Sequence, residues 1–279
     1  MDCFYINLDR ACERREQIER SFGLHHAAGW RLHRFAARGV RHVRESAVIG
    51  AASEAAKACF LSHREVIRAS LQDQRPIFVL EDDAVFGTQT CAAIERHLAG
   101  ASMPPWDILF TDALFPDIAT MASLVRMRQR WQYQRVEDQV AGYFLIDMAK
   151  VNFASSTAYI VNGQSKSNVV QQLESAKQVD APYDLFLRRL VHGGRLKALS
   201  IFPFVTTLSA NADSSQIQKV GAAATDLIWN TFRRLMWTDR SLAQEQAALE
   251  RIGRELCDED SRSIGTIFAG MTSRRFQLK

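Results

Sequence analysis

Residues 77–83, with the sequence IFVLEDD, bring three consecutive acidic residues directly after four apolar ones. Four apolar residues in a row are typical of a strand buried on both faces, as in a parallel sheet. Successive side chains of a strand point to opposite faces, so Glu81 and Asp83 are expected on one side and Asp82 on the other. Like charges this close are unfavourable unless a cation or hydrogen bonds compensate them. This stretch therefore predicts a buried strand that ends in a candidate cation site.

The acidic triplet has two interpretations. As two carboxylates at the carboxyl edge of a sheet, Glu81 and Asp83 would bind a hard divalent cation, Mg²⁺ or Mn²⁺. Such cations complete their coordination with phosphate oxygens, which points to a nucleotide diphosphate substrate. Alternatively, the three acids lie on a solvated loop, with Asp83 capping the segment that follows. The abrupt junction with a buried strand favours the first interpretation.

The rest of the chain alternates between strand-like and helix-like patterns. Asp9 is the expected N-cap of a helix that follows a first strand at residues 3–8. Ser53 is the expected N-cap of a second, strongly periodic helix that ends before Pro76. Such alternation is typical of an α/β fold. The pattern further predicts an irregular basic strand and loop at residues 31–44, strands at 106–110, 140–146 and 157–161, helices at 165–176 and 182–191, and helical structure from about residue 225.

Composition excludes several classes of protein. The 35 basic and 31 acidic residues among 279 give a net charge of +4, too small an excess to indicate nucleic-acid binding. The five cysteines are scattered and form no CxxC pair, so neither a zinc ribbon nor a disulfide framework is expected. The N-terminal sequence lacks the features of a secretory signal, and no apolar run is long enough to cross a bilayer. These features predict a cytoplasmic protein.

Four blocks of the sequence carry a resemblance to a known family. In chain order they are YINLDR at residues 5–10 with Arg14 and Arg15, ACFLSH at 58–63, IFVLEDD at 77–83, and STAYI at 156–160 with PYD at 182–184. Together these blocks resemble glycosyltransferase family 25, the group of bacterial lipooligosaccharide galactosyltransferases and collagen galactosyltransferases. The resemblance covers about residues 2–217 and leaves the C-terminal helices unmatched. Two glycines that are usual in the family are replaced or missing, at Ala58 and after Thr157.

The resemblance implies a GT-A-like fold, in which helices flank a Rossmann-type mixed sheet, and a UDP-sugar donor, most often UDP-galactose. It implies inverting, Mn²⁺- or Mg²⁺-dependent transfer of the hexose to a glycan hydroxyl, in lipopolysaccharide or other surface glycan synthesis. The acceptor would be a glycan or a lipid-linked oligosaccharide. On this basis we expect a glycosyltransferase domain at residues 1–220 and a C-terminal helical extension, packed on it, at residues 221–279.

The resemblance also suggests roles for individual residues. Glu81 and Asp83 are the expected metal ligands. Asp184 and Asp112 are the candidate bases that would accept the acceptor's proton, with Asp184 favoured; alternatively, Asp184 is an acid that stabilises the first turn of a helix. The residues expected to bind the donor are Asn7, Asp9, Arg10, Arg14, Arg15, Ser62, His63, Glu81 and Asp82.

Other readings of these residues remain open. His63 lies on an apolar helical stripe, where a buried histidine with one hydrogen bond is the common case. The three arginines at positions 10, 14 and 15 are equally typical of a solvated helix face. A sugar nucleotidyltransferase would also need metal carboxylates, but residues 7–10 lack the glycines of its phosphate loop. A non-catalytic binding scaffold with the same fold is the second alternative, which the intact acidic triplet disfavours.

The C-terminal extension carries one further candidate function. Arginines off the apolar face of its first helix would be attracted to anionic lipid, and two tryptophans suit a membrane interface. The functional interpretation is a peripheral dock on the inner membrane face, and the alternative is a helix packed on the core. The apolar face comprises Leu227, Ile228, Phe232, Leu235 and Met236, the arginines are Arg233, Arg234 and Arg240, and the tryptophans are Trp229 and Trp237.

Overall fold

The computed structural model describes residues 1–100, 103–137, 142–214 and 223–273. The strands in these ranges are β1 (Asp2–Asn7), β2 (Arg31–Ala36), β3 (Ile77–Glu81), β4 (Ala84–Phe86), β5 (Ile108–Phe110), β6 (Phe144–Asp147), β7 (Ala158–Val161), β8 (Ala198–Phe202) and β9 (Thr206–Leu208). The helices are α1 (Cys12–His25), α2 (Val40–Glu45), α3 (Glu54–Ala69), α4 (Thr90–Ala99), α5 (Ile118–Glu137), α6 (Lys166–Glu174), α7 (Tyr183–His192), α8 (Ala223–Met236), α9 (Leu242–Glu255) and α10 (Glu259–Met271).

Within the described ranges, seven strands form one mixed sheet in the order β2-β1-β3-β7-β5-β8-β6. Strand β1 lies parallel to β2 and β3, and β5 lies parallel to β8. Strand β7 runs antiparallel between β3 and β5, and β6 runs antiparallel beside β8. Strands β4 and β9 form a separate antiparallel pair. Because β7 is reversed, it begins at the edge where β1, β3 and β5 end.

Helices cover both faces of this sheet. The four apolar residues of β3 are at most 2% exposed, as expected for a central strand. Alternate β3 side chains belong to two separate apolar clusters, one with Phe60 and Ile67 of α3 and the other with Ile18 and Phe22 of α1. Fully burying one such side chain contributes roughly 1.5–3 kcal/mol. The expected mixed α/β sheet flanked by helices is confirmed.

Several local predictions are confirmed and one is wrong. Ser53 caps α3, its side chain accepting a hydrogen bond from the Ala56 amide. Asp9 does not cap α1, which begins at Cys12 without a side-chain cap; the Asp9 carboxylate pairs instead with Arg34 of β2. The basic segment at 31–44 forms the edge strand β2 and the short helix α2. The strand expected at 140–146 begins at Phe144, and Val140 and Ala141 lie outside the described residues.

Helix α8 packs on the carboxyl edge of the sheet. The chain that follows it forms an isolated bridge between Phe204 and Trp237, and the Thr238 amide donates to the Phe204 carbonyl at 2.9 Å. Arg233 and Arg234 are 4% and 7% exposed, so the expected basic surface face is wrong at these two positions. Both guanidinium groups form buried ion pairs instead. The predicted domain boundary at residue 220 lies outside the described residues, and no described helix is both long and apolar enough to cross a membrane.

Candidate functional site

The carboxyl edge of the sheet gathers polar side chains from four neighbouring strands. Asn7 ends β1 and Glu81 ends β3, while Asp112 follows β5 directly after Thr111. The antiparallel β7 adds residues 155–157 at the same edge, since these residues come before its start. The reversed strand thus places a Ser-Ser-Thr segment among the acids.

The first two acids of the triplet point to opposite sides, as the alternation of a strand predicts. Glu81 Oε1 accepts a hydrogen bond from Ser156 Oγ at 2.6 Å and lies 3.4 Å from His63 Nε2. Asp82 Oδ2 accepts from Asn7 Nδ2 at 2.8 Å, and its Oδ1 accepts from Arg14 Nη1 at 3.1 Å. Each of these carboxylates therefore has named partners in the protein.

The negative charge of the Asp83 carboxylate is less well compensated by neighbouring groups. The chain turns here between β3 and β4, and the Asp83 carbonyl accepts from the Ser209 amide at 2.8 Å. Asp83 Oδ2 is 3.8 Å from Arg14 Nη1, whereas Oδ1 is buried and has no hydrogen-bond partner among the described residues. A buried acceptor without a donor is costly, so this atom marks a place where a cation would be favourable.

The electrostatics of the triplet agree with a surplus of negative charge. Burial and the neighbouring charges of Glu81 and Asp82 raise the pKa of Asp83 to about 7. Burial likewise raises the pKa of Asp82, against the opposing effect of its bonds to Asn7 and Arg14. Burial opposes ionisation of Glu81 too, but the interactions with His63 and Ser156 hold its pKa below the ordinary value. A divalent cation would relieve the repulsion that Asp83 experiences.

Glu81 and Asp83 fit the expected divalent metal. Both offer carboxylate oxygens, the donors that Mg²⁺ and Mn²⁺ prefer, and Asp83 Oδ1 is a buried acceptor with no donor. A second donor set shares Glu81: its carboxylate, Cys59 Sγ and the His63 ring offer ligand atoms within 4.8 Å of one another. Sulfur and imidazole suit Zn²⁺ better than Mg²⁺. The sequence signal for this set was the i, i+4 spacing of Cys59 and His63 on α3.

His63 is connected to two buried tyrosines. Its Nδ1 is 2.9 Å from the Tyr159 hydroxyl, which is 2.8 Å from the Tyr183 hydroxyl. The Tyr183 ring stacks on the imidazole with centroids 4.2 Å apart. His63 is fully buried, so these contacts fix its ring while Nε2 faces Glu81. His63 thus makes the one hydrogen bond expected of a core histidine, and its buried Nε2, which has no hydrogen-bond partner among the described residues, lies 3.4 Å from Glu81 Oε1.

Asp112 is held by an arginine from the C-terminal extension. Arg233 Nε donates to Asp112 Oδ1 at 3.0 Å, and its Nη2 donates to Asp112 Oδ2. The same Nη2 donates to Ser155 Oγ at 2.8 Å and to Thr157 Oγ1 at 2.9 Å. Asp112 is completely buried, and burial raises its pKa while Arg233 opposes that rise. Arg233 was missed as a site residue because its partner precedes it by more than a hundred residues.

Asp184 reaches the same segment from the other side. It lies in the first turn of α7, where its Oδ1 accepts from the Leu185 amide at 2.8 Å. Its Oδ2 accepts from the Ser155 amide at 3.0 Å. Ser155 has a φ of +85°, a left-handed conformation that is strained for a serine. Asp184 thus contacts Ser155 directly, and Asp112 is linked to Ser155 through Arg233.

The remaining predicted residues are more scattered. Asp9 is exposed, as is Arg10, and Arg15 is half-buried, whereas Arg14 contacts both Asp82 and Asp83. Ser62 is buried in α3, where its Oγ donates to the Ala58 carbonyl and accepts from the Arg38 amide, both at 2.8 Å. The Ser62 hydroxyl therefore ties the segment after β2 to α3 rather than facing the acids.

One family of known proteins has a model that matches more than half of this chain. No curated protein matches the chain. Among solved structures, the apo form of mouse xyloside xylosyltransferase 1 is similar over 70% of this chain and 84% of that chain, with 12% identity and a TM-score of 0.39. The family model of glycosyltransferase family 25 (LPS biosynthesis protein) matches residues 1–187, which include the acidic triplet, His63 and Asp184. The chain therefore belongs to glycosyltransferase family 25.

Proposed function

We propose that this protein transfers a hexose, galactose in the first instance, from a UDP-sugar to a hydroxyl of a glycan with inversion at the sugar. The observation that carries the proposal is the cluster of carboxylates at the sheet edge, with Asp83 Oδ1 buried and lacking a donor. The family description adds a link to lipopolysaccharide synthesis, so a glycan or lipid-linked oligosaccharide is the proposed acceptor. A cytoplasmic location accords with the scattered cysteines.

Glu81 and Asp83 would hold Mn²⁺ or Mg²⁺. When bound, the cation supplies charge neutralisation for the departing diphosphate. Arg14 is the residue of this chain best placed to assist, since it lies beside Asp82 and Asp83 and a guanidinium suits phosphate oxygens. Asp82 orients Arg14 by accepting from its Nη1, and Asn7 in turn holds Asp82 by donating to its Oδ2.

Asp184 is the proposed base. Asp112 is fully buried with both oxygens bound by Arg233, which leaves it unsuited to meet an acceptor hydroxyl. Asp184 is only half-buried, and although each oxygen accepts one backbone N–H, each keeps a further lone pair for an incoming hydroxyl. Inversion needs a single displacement with one base on the face opposite the leaving group, by analogy with inverting glycosidases.

Docking to a membrane through α8 is excluded from this mechanism, because Arg233 and Arg234 are buried in ion pairs. Arg233 instead holds the Ser155–Thr157 segment that meets Asp184. We therefore assign it a positioning role in the site.

The test is a donor-hydrolysis screen across UDP-sugars, with and without Mn²⁺, on the wild type and on Asp83→Asn. We expect metal-dependent UDP release from one hexose donor in the wild type and its loss in Asp83→Asn. The matched control is Asp260→Asn, an exposed acid of α10, which should behave as the wild type. Retained metal-dependent UDP binding in Asp83→Asn would show that the metal assignment is wrong, and inactivity on every UDP-sugar would contradict the donor class.

A further inference from the structure

A second candidate site lies away from the acidic triplet, in a cavity of about 250 Å³ between α5, the end of α8 and the end of α10. Its lining includes Arg128, Gln129 and Gln132 of α5 and Arg240 from the segment after α8. Val125 and Met236 supply apolar surface. Among the described lining residues none is acidic and two are arginines.

Arg128 is the buried member of this pair. Arg128 is only 3% exposed, and its Nη2 donates a hydrogen bond to the Trp237 carbonyl at 3.0 Å. Its Nε and Nη1 are buried and have no hydrogen-bond partner among the described residues. A buried guanidinium without a counter-charge is unfavourable, because desolvation of the charge is not compensated.

Arg240 adds a second positive charge to the same cavity. It is half-buried, and its Nη1 donates to the Leu235 carbonyl at 3.5 Å, a long and weak hydrogen bond. Burial and the charge of Arg240 together lower the pKa of Arg128 to about 9. Burial also lowers the pKa of Arg240. The two arginines therefore repel each other in a region of reduced solvation.

The other buried arginines among the described residues form ion pairs with carboxylates. Arg233 holds the Asp112 carboxylate, and Arg234 holds those of Asp213 and Glu245 at 3.0 and 2.7 Å. In each case the counter-charge is built into the fold. Only at Arg128, among the buried arginines that the structure describes, is no carboxylate in contact. The missing counter-charge indicates a ligand.

We propose that this cavity binds a phosphate group, either as inorganic phosphate or as the phosphate of a sugar phosphate. Arg128 lies on α5 and Arg240 on the segment after α8, so two positive charges reach the cavity from two elements and suit an anion with several oxygens, such as phosphate. The side-chain amide of Gln132 offers a further hydrogen-bonding group on the wall, whereas Gln129 Nε2 donates to the Thr272 carbonyl. A volume of about 250 Å³ lies just below that of common small-molecule pockets, which leaves room for a sugar beside the phosphate.

Thermal unfolding in phosphate-free buffer, with inorganic phosphate or glucose 6-phosphate added at constant ionic strength, tests this site. A ligand that binds only the folded state raises the Tm. For a protein of this size the rise is about 2–4 °C when the free ligand concentration is about ten times the Kd. We expect this rise in the wild type and its loss in Arg128→Met and Arg240→Met. Arg130→Met, which removes an exposed arginine of the same helix, should keep it. Chloride at the same ionic strength should produce no rise.

Phosphate could also bind beside the acidic triplet, so Arg14→Met is included as a discriminating variant. A response that persists in Arg14→Met and is lost in Arg240→Met supports the cavity, whereas the reverse pattern overturns it. Isothermal titration of the wild type with both probes gives a readout that is independent of variant folding. Tighter binding of glucose 6-phosphate identifies a sugar phosphate as the ligand, and equal affinity identifies the phosphate alone. No heat and no shift with either probe would refute the site.

Discussion

The sheet edge and the α5–α8 cavity are opposite in charge. At the edge, Glu81, Asp82 and Asp83 crowd together and Asp83 keeps a buried oxygen without a donor. In the cavity, Arg128 and Arg240 meet without a carboxylate among the described lining residues. A cation would compensate the charge of the first region, and an anion that of the second. A charge that is buried without a partner in the fold therefore indicates what kind of ligand would compensate it.

Arg233 shows the contrasting case in which the fold supplies the partner itself. Its guanidinium is about as buried as that of Arg128, yet it makes two hydrogen bonds to Asp112 and two to the Ser155–Thr157 segment. A charge compensated in this way holds structure together, and removing it should cost stability rather than ligand affinity. Substitutions at the two kinds of buried charge should therefore have different effects.

The largest expected effect is that of Asp184→Asn, at the sheet edge, on turnover. The amide cannot accept a proton from the acceptor hydroxyl, so turnover should fall by about 10²–10⁴. Donor binding should persist, because Asp184 acts only as the acceptor attacks. The kcat measures the effect on turnover, and the Kd for UDP with Mn²⁺ measures the effect on donor binding. The control is Asp184→Glu, which retains a carboxylate. Turnover near that of the wild type would remove Asp184 as the base.

The next effect is on stability, in Arg233→Met. This change leaves the Asp112 carboxylate buried without its partner, which should lower the free energy of unfolding by about 3–5 kcal/mol. Denaturant unfolding measures it, with Arg130→Met as the surface control. The double variant Arg233→Met, Asp112→Asn should recover part of the loss, because no buried charge remains unpaired. A loss of less than ~1 kcal/mol in the free energy of unfolding would show that the fold does not depend on the ion pair of Arg233.

A smaller effect concerns pH and the metal-free protein. With a pKa of about 7 in the folded state, Asp83 binds a proton more readily than in the unfolded chain, where its pKa is about 3.9. Stability in EDTA should therefore fall as pH rises through that interval, by at most about 1.4 kcal/mol per pH unit for one proton. Glu81, with its lowered pKa, acts in the opposite direction only below about pH 4.3.

Asp83→Asn should remove this part of the slope, and saturating Mn²⁺ should flatten it in the wild type. Denaturant unfolding between pH 5 and 7 in EDTA is the measurement. An unchanged slope in Asp83→Asn would mean that the charge at the edge is compensated without the cation.

The smallest effect is expected in the cavity, in Arg128→Met. Loss of the hydrogen bond to the Trp237 carbonyl costs about 1 kcal/mol, but the cost of burying an unpaired charge disappears with it. In phosphate-free buffer the free energy of unfolding should stay within ~1 kcal/mol of the wild type or rise above it. Denaturant unfolding in parallel with Arg233→Met checks this contrast. A loss as large as that of Arg233→Met would reveal an internal counter-charge.

Features that depend on neighbouring residues were predictable from the sequence. Ser53 caps α3 as expected, because the cap and the apolar periodicity both lie within one short segment. Strand β3 and its acidic end were equally visible, since a buried strand needs only a short apolar run. The opposite directions of Glu81 and Asp82 follow from the same alternation. These local signals located the candidate site.

Features that depend on distant partners were not predictable. Asp9 was expected to cap α1, but Arg34 of the neighbouring strand takes its carboxylate. Arg233 and Arg234 follow a helical pattern that is the same whether the charges face solvent or buried carboxylates. Cys59 belongs to no CxxC pair, and the sequence does not show that its side chain lies near both His63, one helical turn away, and the distant Glu81. Ion pairs between residues that are far apart in the sequence therefore could not be predicted from the sequence alone.

The ion pair between Asp112 and Arg233 also has a consequence for synthesis of the chain. The two residues are 121 positions apart, so Asp112 leaves the ribosome well before its partner is made. At the usual elongation rate of about 5–20 residues per second, the interval is roughly 6–24 s. During that time the end of β5 cannot close over an ionised carboxylate without a large penalty. We therefore expect this edge of the sheet to close only after α8 has been synthesised.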